Sequence, residues 1–154
     1  MTTVLLADRD GRALGPLAEK TVPALLPLRG IPILEHSLEA LVSAGIRSAL
    51  VVVGPRGPEI EKRFGKGIRW GIALEYVRRE EGETTGAVLR RLEQRLDGDT
   101  FVLRGDAAVE GAFADFVRRA GGRSEAVVAA VSGDRLLGMW RIRPEALRKA
   151  ELPR

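Results

Sequence analysis

The fold is decided by the stretch IPILEHSLEALVSAGIRSALVVVG, residues 31–54. Its first half places apolar residues at helical spacing between Pro32 and Gly45, which predicts an amphipathic helix over residues 32–44. Its second half, Ser48 to Val53, is a continuous apolar run typical of a strand that is buried on both faces. A helix that leads directly into such a strand is the repeating unit of a parallel α/β sheet.

The same alternation continues on both sides of this stretch. The pattern predicts further strands at residues 4–7, 73–77, 100–103, 126–131 and 137–142, and further helices at residues 58–64, 84–96, 112–120 and 144–149. We therefore expect one domain, residues 1–154, of the α/β class. It has a mostly parallel, Rossmann-like sheet, helices on both faces, and residues 4–7, 48–53 and 100–103 as central strands. Ligands of such sheets bind at the carboxyl ends of the strands, which indicates the loops at residues 8–17 and 104–107.

The composition excludes several kinds of protein. The chain of 154 residues has 45% hydrophobic and 30% charged residues, a net charge of +4 and no cysteine, so disulfides and thiolate chemistry are excluded. The single histidine, His36, is expected on the surface and cannot form a metal cluster or a catalytic triad alone. No apolar run suits a membrane span and no basic run with aromatic residues suits nucleic acid. A cytoplasmic protein without membrane or nucleic-acid partners is expected.

Motifs along nearly the whole chain follow one another in a known order. They are LLA at residues 5–7, ALLPL at residues 24–28, GIRWGI at residues 67–72, TTGA at residues 84–87, Gly105-Asp106 and GMWRIRPE at residues 138–145. Together they resemble the sugar-phosphate nucleotidyltransferases, and the resemblance implies the nucleotide-diphospho-sugar transferase fold. Such enzymes transfer a nucleoside monophosphate from a nucleoside triphosphate to a sugar 1-phosphate. Their site needs a glycine-rich loop, an arginine, a lysine and a carboxylate that holds Mg²⁺.

The first motif of the family, G-G-x-G-x-R-L, corresponds here to DRDGRAL, residues 8–14. Asp8 and Arg9 replace the two leading glycines, and Ala13 replaces the arginine. A carboxylate at Asp8 is expected to repel an incoming phosphate by roughly 4 kcal/mol at about 4 Å. Arg12 could compensate for Ala13 only if the loop shifts its register. The resemblance therefore predicts a degenerate phosphate loop.

The other motifs depart from the family in similar ways. Pro23 occupies the lysine position, with Lys20 as the candidate substitute. Glu83 replaces a glycine that, in the family, lets the nucleotide base approach the backbone. Glu83-Thr84 could equally supply polar groups to the start of a helix. Asp106 is the metal ligand by resemblance, but Gly105-Asp106 is also a common turn. Only residues 132–137 join the last two strands, where the family has a long substrate-binding segment.

Three functions follow from this resemblance. The first is a pseudoenzyme that serves as an assembly or regulatory module, with a protein partner or a second copy and without catalytic residues or cofactor. The second is a divergent active enzyme that uses Mg²⁺ and the candidate catalytic residues Arg12, Lys20 and Asp106. The third is a module that senses a nucleotide or sugar nucleotide at a degenerate site formed by Asp8, Arg9, Gly11, Arg12, Thr84 and Gly86. The apolar residues Phe113, Phe116, Leu136, Leu137, Met139 and Trp140 predict a contact surface centred on residues 136–140.

Overall fold

A computed structural model describes residues 2–109 and 111–149 of the chain. Six strands of this part form one sheet, namely β1 Thr2–Ala7, β4 Ser48–Val53, β5 Ala73–Arg78, β6 Thr100–Arg104, β7 Val127–Ser132 and β8 Arg135–Ile142. Their order across the sheet is β5-β4-β1-β6-β8-β7. Two further strands, β2 Pro27–Leu28 and β3 Ile31–Pro32, form a small separate hairpin around Arg29-Gly30, both with positive φ, as a tight hairpin turn requires.

Within the described part of the chain, five α-helices connect and cover the strands. They are α1 Ile33–Ser43, α2 Gly57–Phe64, α3 Thr85–Arg91, α4 Ala112–Gly121 and α5 Pro144–Lys149. Short 3-10 segments lie at Arg12–Glu19, Pro23–Leu25, Ile68–Trp70 and Glu93–Arg95. The segment Arg12–Glu19 begins after residues 8–11, which follow β1, so the loop expected at residues 8–17 is partly helical.

The sheet is parallel in its larger part and antiparallel at one edge. β1 pairs in parallel with both β4 and β6, and β4 pairs in parallel with β5. β8 then adds to β6 in the antiparallel sense, and β7 pairs antiparallel to β8 through a tight hairpin. The predicted mostly parallel sheet, with residues 4–7, 48–53 and 100–103 at its centre, is confirmed.

The helices bury both faces of the sheet, as predicted. On one face α1, α2 and α4 contribute Leu34, Ile60 and Phe113 to one apolar cluster with residues of β1, β4 and β6. On the other face α3 and α5 contribute Val88 and Leu147 to a second cluster. Burial of these faces is the main force that holds the layers together.

Several local expectations were wrong. The predicted helix at residues 84–96 divides into α3 and a 3-10 turn. Trp70 lies in a 3-10 turn just before β5, where its ring packs 5.1 Å from that of Phe64. His36 is buried rather than on the surface, and its Nε2 lies 3.0 Å from the carbonyl oxygen of Leu28. Tertiary packing of the small hairpin against α1 covers this histidine, which helical periodicity alone could not reveal.

The contact surface predicted near the end of the chain is smaller than expected. Phe113 and Phe116 lie in the core, where each packs edge-on against Phe101. Met139 and Trp140 point to opposite faces of β8, as strand alternation predicts. Leu136 and Leu137 remain exposed. Across residues 2–109 and 111–149, no helix is long and apolar enough to cross a membrane.

Candidate functional site

The candidate site lies where the neighbouring strands β1 and β6 end. The two strands run parallel in a register that pairs Leu6 with Arg104, so Asp8 and Asp106 emerge at the same edge of the sheet. The Gly105 N–H donates to the Leu6 carbonyl oxygen over 2.9 Å, which fixes the two loops together. A Cβ on Gly54 would lie 2.7 Å from the Asp8 carbonyl oxygen. The glycine therefore lets the Asp8 backbone cross the end of β4.

Asp8 is an internal ion-pair partner rather than an exposed charge. Its side chain is fully buried, and Oδ2 accepts a hydrogen bond from Arg79 Nη1. Its other oxygen, Oδ1, lies 3.7 Å from Arg104 Nη2. The expected repulsion of a phosphate assumed an unpaired Asp8 carboxylate. In the structure two guanidinium groups balance this charge, so that assumption was wrong. Asp8 instead engages two arginines inside the protein.

Asp106 is held even more completely. Arg104 donates from Nε to Oδ1 and from Nη2 to Oδ2, both over 2.8 Å, and Arg9 Nε lies 3.3 Å from Oδ2. The Asp106 side chain is only 1% exposed. Burial acts to lower the pKa of Arg104, but the hydrogen bonds and charges of Asp106 and the charge of Asp8 raise it overall. Arg104 thus stays a cation between two carboxylates.

A second arginine pair extends the network towards α3. Arg91 donates to both carboxylate oxygens of Glu83 over 2.9 Å, and Arg79 donates from Nε to the Glu83 carbonyl oxygen over 2.5 Å. The Arg91 hydrogen bond is the main reason that the pKa of Glu83 lies below its ordinary value. The negative charge expected at Glu83 is therefore neutralised within the protein. One continuous chain of contacts joins Asp8, Arg79, Glu83 and Arg91. We call these residues, together with Arg104, Asp106 and Arg9, the arginine network.

Beside this network lies a cavity of about 300 Å³. Arg9, Gly11, Arg12, Pro23 and Asp106 contribute to its lining. Pro23 approaches Gly11 closely, since a Cβ on Gly11 would lie 3.1 Å from the Pro23 Cδ atom, and Gly11 has a positive φ of 82°. The proline at the expected lysine position thus narrows the cavity and supplies no charge.

The remaining predicted site residues divide between the cavity and the surface. Arg12 lies at the cavity but its side chain is 92% exposed, and its Nε pairs with Asp10 over 2.7 Å. Lys20 is exposed beyond the 3-10 segment. Thr84 caps α3, where its Oγ1 accepts from the Ala87 N–H over 3.2 Å, and Gly86 is buried inside that helix. The structure therefore brings Asp8, Arg9 and Asp106 together. Thr84 instead caps the start of α3, which was the alternative role considered for Glu83-Thr84.

The oxygen donors of this site do not fit a magnesium ion. Both Asp106 oxygens are engaged by Arg104, and both Asp8 oxygens face arginines. Mg²⁺ binds hard oxygen ligands and keeps several waters, so a neighbouring guanidinium competes directly for the same oxygens. Within the described residues, no group of three or more carboxylate or imidazole side chains could hold a metal ion.

Sequence reasoning missed Arg79 and Arg104, the two residues that organise the site. Arg104 ends β6 immediately before Gly105-Asp106, and this adjacency was the available signal, since parallel strands end at a common edge. Arg79 lies 71 residues from Asp8 in the sequence, and only the packing of β4 and β5 beside β1 brings them together. A motif comparison, which reads positions one at a time, cannot detect such compensation.

The α/β sheet, with its candidate site at the carboxyl ends of the strands, has the architecture of solved nucleotidyltransferases, so the fold is nucleotidyltransferase-like. Residues 2–135 match the model of the family described as nucleotidyl transferase, and the chain therefore belongs to that family.

Curated relatives resemble this chain over most of its length. It is 32% identical over 104 residues to a mannose-1-phosphate guanylyltransferase of Mycobacterium tuberculosis, covering 67% of this chain and 29% of that protein. It is 29% identical over 119 residues to the UTP–glucose-1-phosphate uridylyltransferase AglF of Haloferax volcanii, covering 77% and 49%. The chain thus spans less than half the length of these two relatives. A solved nucleotidyl transferase from Methanothermobacter superposes with a TM-score of 0.74 at 23% identity, covering 96% of this chain and 73% of that one.

Proposed function

We propose that this protein is a non-catalytic member of the nucleotidyl transferase family whose fold serves protein assembly. The observation that supports this most directly is the paired hydrogen bonding of Arg104 to Asp106. The carboxylate that the family resemblance assigns to metal binding is already neutralised by a side chain of the same protein. A metal could enter only by displacing the half-buried guanidinium of Arg104, which would leave Arg104 facing Asp8 alone.

Transfer of a nucleotidyl group requires positioned cations around the phosphates, because most of the catalysis is charge stabilisation. Here Arg79 and Arg104 are directed towards Asp8 and Asp106, and Pro23 stands at the lysine position. Arg9 and Arg12 are the basic groups that line the cavity, and each already has an acidic partner. The arrangement supports a closed internal network rather than a charged receptor for a triphosphate.

Pyrophosphate release tests this proposal. The protein is incubated with each common nucleoside triphosphate, Mg²⁺ and a panel of sugar 1-phosphates, beside an active relative such as the Haloferax uridylyltransferase. We expect release no faster than that of the Asp106→Ala variant. Turnover that depends on this protein and disappears in Asp106→Ala, while persisting in the control Asp115→Ala on the exposed side of α4, would contradict the proposal and favour a divergent Mg²⁺-dependent enzyme.

Binding of a nucleotide or sugar nucleotide without turnover is the second candidate function. It is favoured by the exposed guanidinium of Arg9, whose side chain is 63% exposed beside the cavity. Of the network's central groups, three arginines (Arg9, Arg79, Arg104) face two aspartates (Asp8, Asp106), which leaves one positive charge. Under this function a nucleotide would raise the melting temperature without pyrophosphate release, and Arg9→Ala would remove that increase.

A further inference from the structure

The guanidinium of Arg104 lies where two buried carboxylates converge. Its Nη2 donates to Asp106 Oδ2 over 2.8 Å and lies 3.7 Å from Asp8 Oδ1, while its Nε donates to Asp106 Oδ1 over 2.8 Å. The side chains of Asp8 and Asp106 are 0% and 1% exposed, and that of Arg104 is 13% exposed. One cation thus joins two carboxylates that are almost completely shielded from solvent.

Asp8 Oδ1 is a buried oxygen that accepts no hydrogen bond from the described residues. A buried carboxylate oxygen normally has a hydrogen-bond donor or a metal ion as its partner, because its removal from water is costly. The contact of 3.7 Å with Arg104 Nη2 is longer than a hydrogen bond. Asp8 Oδ1 is therefore directed at the cation without being hydrogen-bonded to it, as a ligand oxygen in an ion site would be.

Among the described residues, Arg104 is the cation that engages the Oδ1 oxygen of both aspartates. The Oδ2 oxygens each have a second arginine: Asp8 Oδ2 accepts from Arg79 Nη1, and Asp106 Oδ2 lies 3.3 Å from Arg9 Nε. Without the Arg104 guanidinium, the two Oδ1 oxygens would face the space that it leaves. Two carboxylate oxygens completed by waters are a ligand set that Mg²⁺ and Mn²⁺ accept.

We propose that Arg104 is the resident cation of this site: its guanidinium takes the place of a metal ion between Asp8 and Asp106 and makes the site independent of metal. This inference deepens the non-catalytic role proposed above and rests on it for its biological meaning. A guanidinium keeps its charge at every accessible pH, and unlike a metal ion it is neither exchanged nor removed by a chelator. A phosphate-bearing ligand in the neighbouring cavity would therefore bind equally well with and without a chelator.

Binding of Mn²⁺, measured by electron paramagnetic resonance of the free ion, tests this proposal. The wild type should bind no Mn²⁺ at about 1 mM, and Mg²⁺ should not change its melting temperature beyond the effect of equal ionic strength. Arg104→Met keeps the apolar stem but removes the charge. It should gain one site, with an affinity at least about tenfold above any binding by the wild type. Arg104→Lys keeps a cation in place and should bind no Mn²⁺, which separates the charge of the side chain from its shape.

Double variants identify the ligands of the gained site. Arg104→Met/Asp106→Asn and Arg104→Met/Asp8→Asn should each lose it, because each lacks one of the two carboxylates. Arg95→Met is the matched control: it frees the carboxylate of Glu75 at an exposed position and should bind no Mn²⁺. If Arg104→Met is unfolded in the presence of a chelator, Mn²⁺ should restore its circular dichroism spectrum, since the ion then supplies the missing charge.

Four results would overturn the resident cation. They are Mn²⁺ binding by the wild type that disappears in Asp106→Asn, an Arg104→Met protein that gains no site or is not refolded by the ion, equal binding by Arg104→Lys and Arg104→Met, and a gained site that survives both double variants. Pyrophosphate release is measured on the same samples. Release by a wild type that binds no Mn²⁺ would remove the non-catalytic role alone, whereas Mn²⁺ binding at Asp106 without release would remove the metal independence alone.

Discussion

Gly138 lies directly against the side chain of Arg104: a Cβ at this position would come within 2.7 Å of Arg104 Cγ, and Gly138 has a positive φ of 73°. The antiparallel strand β8 thus contacts the arginine that pairs with Asp106 and faces Asp8. A shift of the β7–β8 hairpin would therefore change the position of the Arg104 side chain in the candidate site.

Gly138→Ala should therefore displace Arg104 as well as strain the backbone. Gly133→Ala is the matched control, because Gly133 also has a positive φ of 60° but would meet nothing within 4 Å. The control should lose about 1 kcal/mol of unfolding free energy from the left-handed backbone alone. Gly138→Ala should lose about 2–3 kcal/mol, since the contact adds to the strain. Urea denaturation measures both, and equal losses would refute the contact.

Asp8→Asn should destabilise the protein strongly. The substitution keeps the shape but removes the charge that Arg79 and Arg104 face inside the protein. Breaking a buried ion pair costs about 3–5 kcal/mol, and the partial exposure of Arg79 reduces this to about 2–3 kcal/mol. Asp10→Asn, which affects only the exposed pair with Arg12, should cost less than about 1 kcal/mol. Comparable losses in the two variants would show that Asp8 is not an internal counter-ion.

Glu83 should make stability depend on pH in the acidic range. Its hydrogen bonds to Arg91 lower the pKa of the folded protein below the ordinary value, so the folded state binds protons less readily than the unfolded chain. The stabilisation is present above the ordinary pKa of 4.5 and is lost as the pH falls through the lower folded value. Chemical denaturation should give the wild type a larger unfolding free energy than Glu83→Gln at pH 7, and a smaller advantage at an acidic pH below 4.5. Glu81→Gln, at an exposed position, should follow the wild type at both pH values.

Arg141 offers a test of a buried charge outside the site. Its side chain is fully buried, its Nε and Nη1 lack hydrogen-bond partners, and Nη1 lies 3.6 Å from Asp99. Replacing a buried charge with an apolar group of similar volume is often neutral, so Arg141→Met should change the unfolding free energy by less than about 1 kcal/mol. Asp99→Ala should cost about 2 kcal/mol, because it removes the carboxylate that pairs with the buried arginine. A larger loss of unfolding free energy in Arg141→Met than in Asp99→Ala, measured by thermal or urea denaturation, would contradict this reasoning.

Sequence reasoning predicted the fold well because the central strands carry their own signal. Residues 48–53 and 100–103 are continuous apolar runs, and the helix at residues 32–44 has a clear periodicity and a glycine stop. The divided helix after Thr84 and the burial of His36 were missed, because they depend on contacts between distant segments. Element type is a local property, whereas the burial of one histidine is not.

The candidate site was predicted only in outline. Asp8, Arg9 and Asp106 were identified by position, and the structure brings them together. What could not be read from the sequence is that Arg79 and Arg104 neutralise the two carboxylates. Each departure, judged alone, looked like the loss of a function. In three dimensions the acidic and basic replacements compensate for each other, which is a property of the fold and not of any single motif.

The antiparallel addition of β8 to β6 has a consequence for biosynthesis. β6 is buried throughout most of its length, and without β8 its backbone edge and apolar side chains would face solvent. Of the sheet strands, β7 and β8 emerge last from the ribosome. A nascent chain therefore exposes the unpaired, aggregation-prone edge of β6 until β8 pairs with it. Once closed, the hairpin replaces that strand at the margin with β7. Completion of the hairpin thus protects the edge of β6 from pairing with other chains, and an unfinished chain lacks that protection.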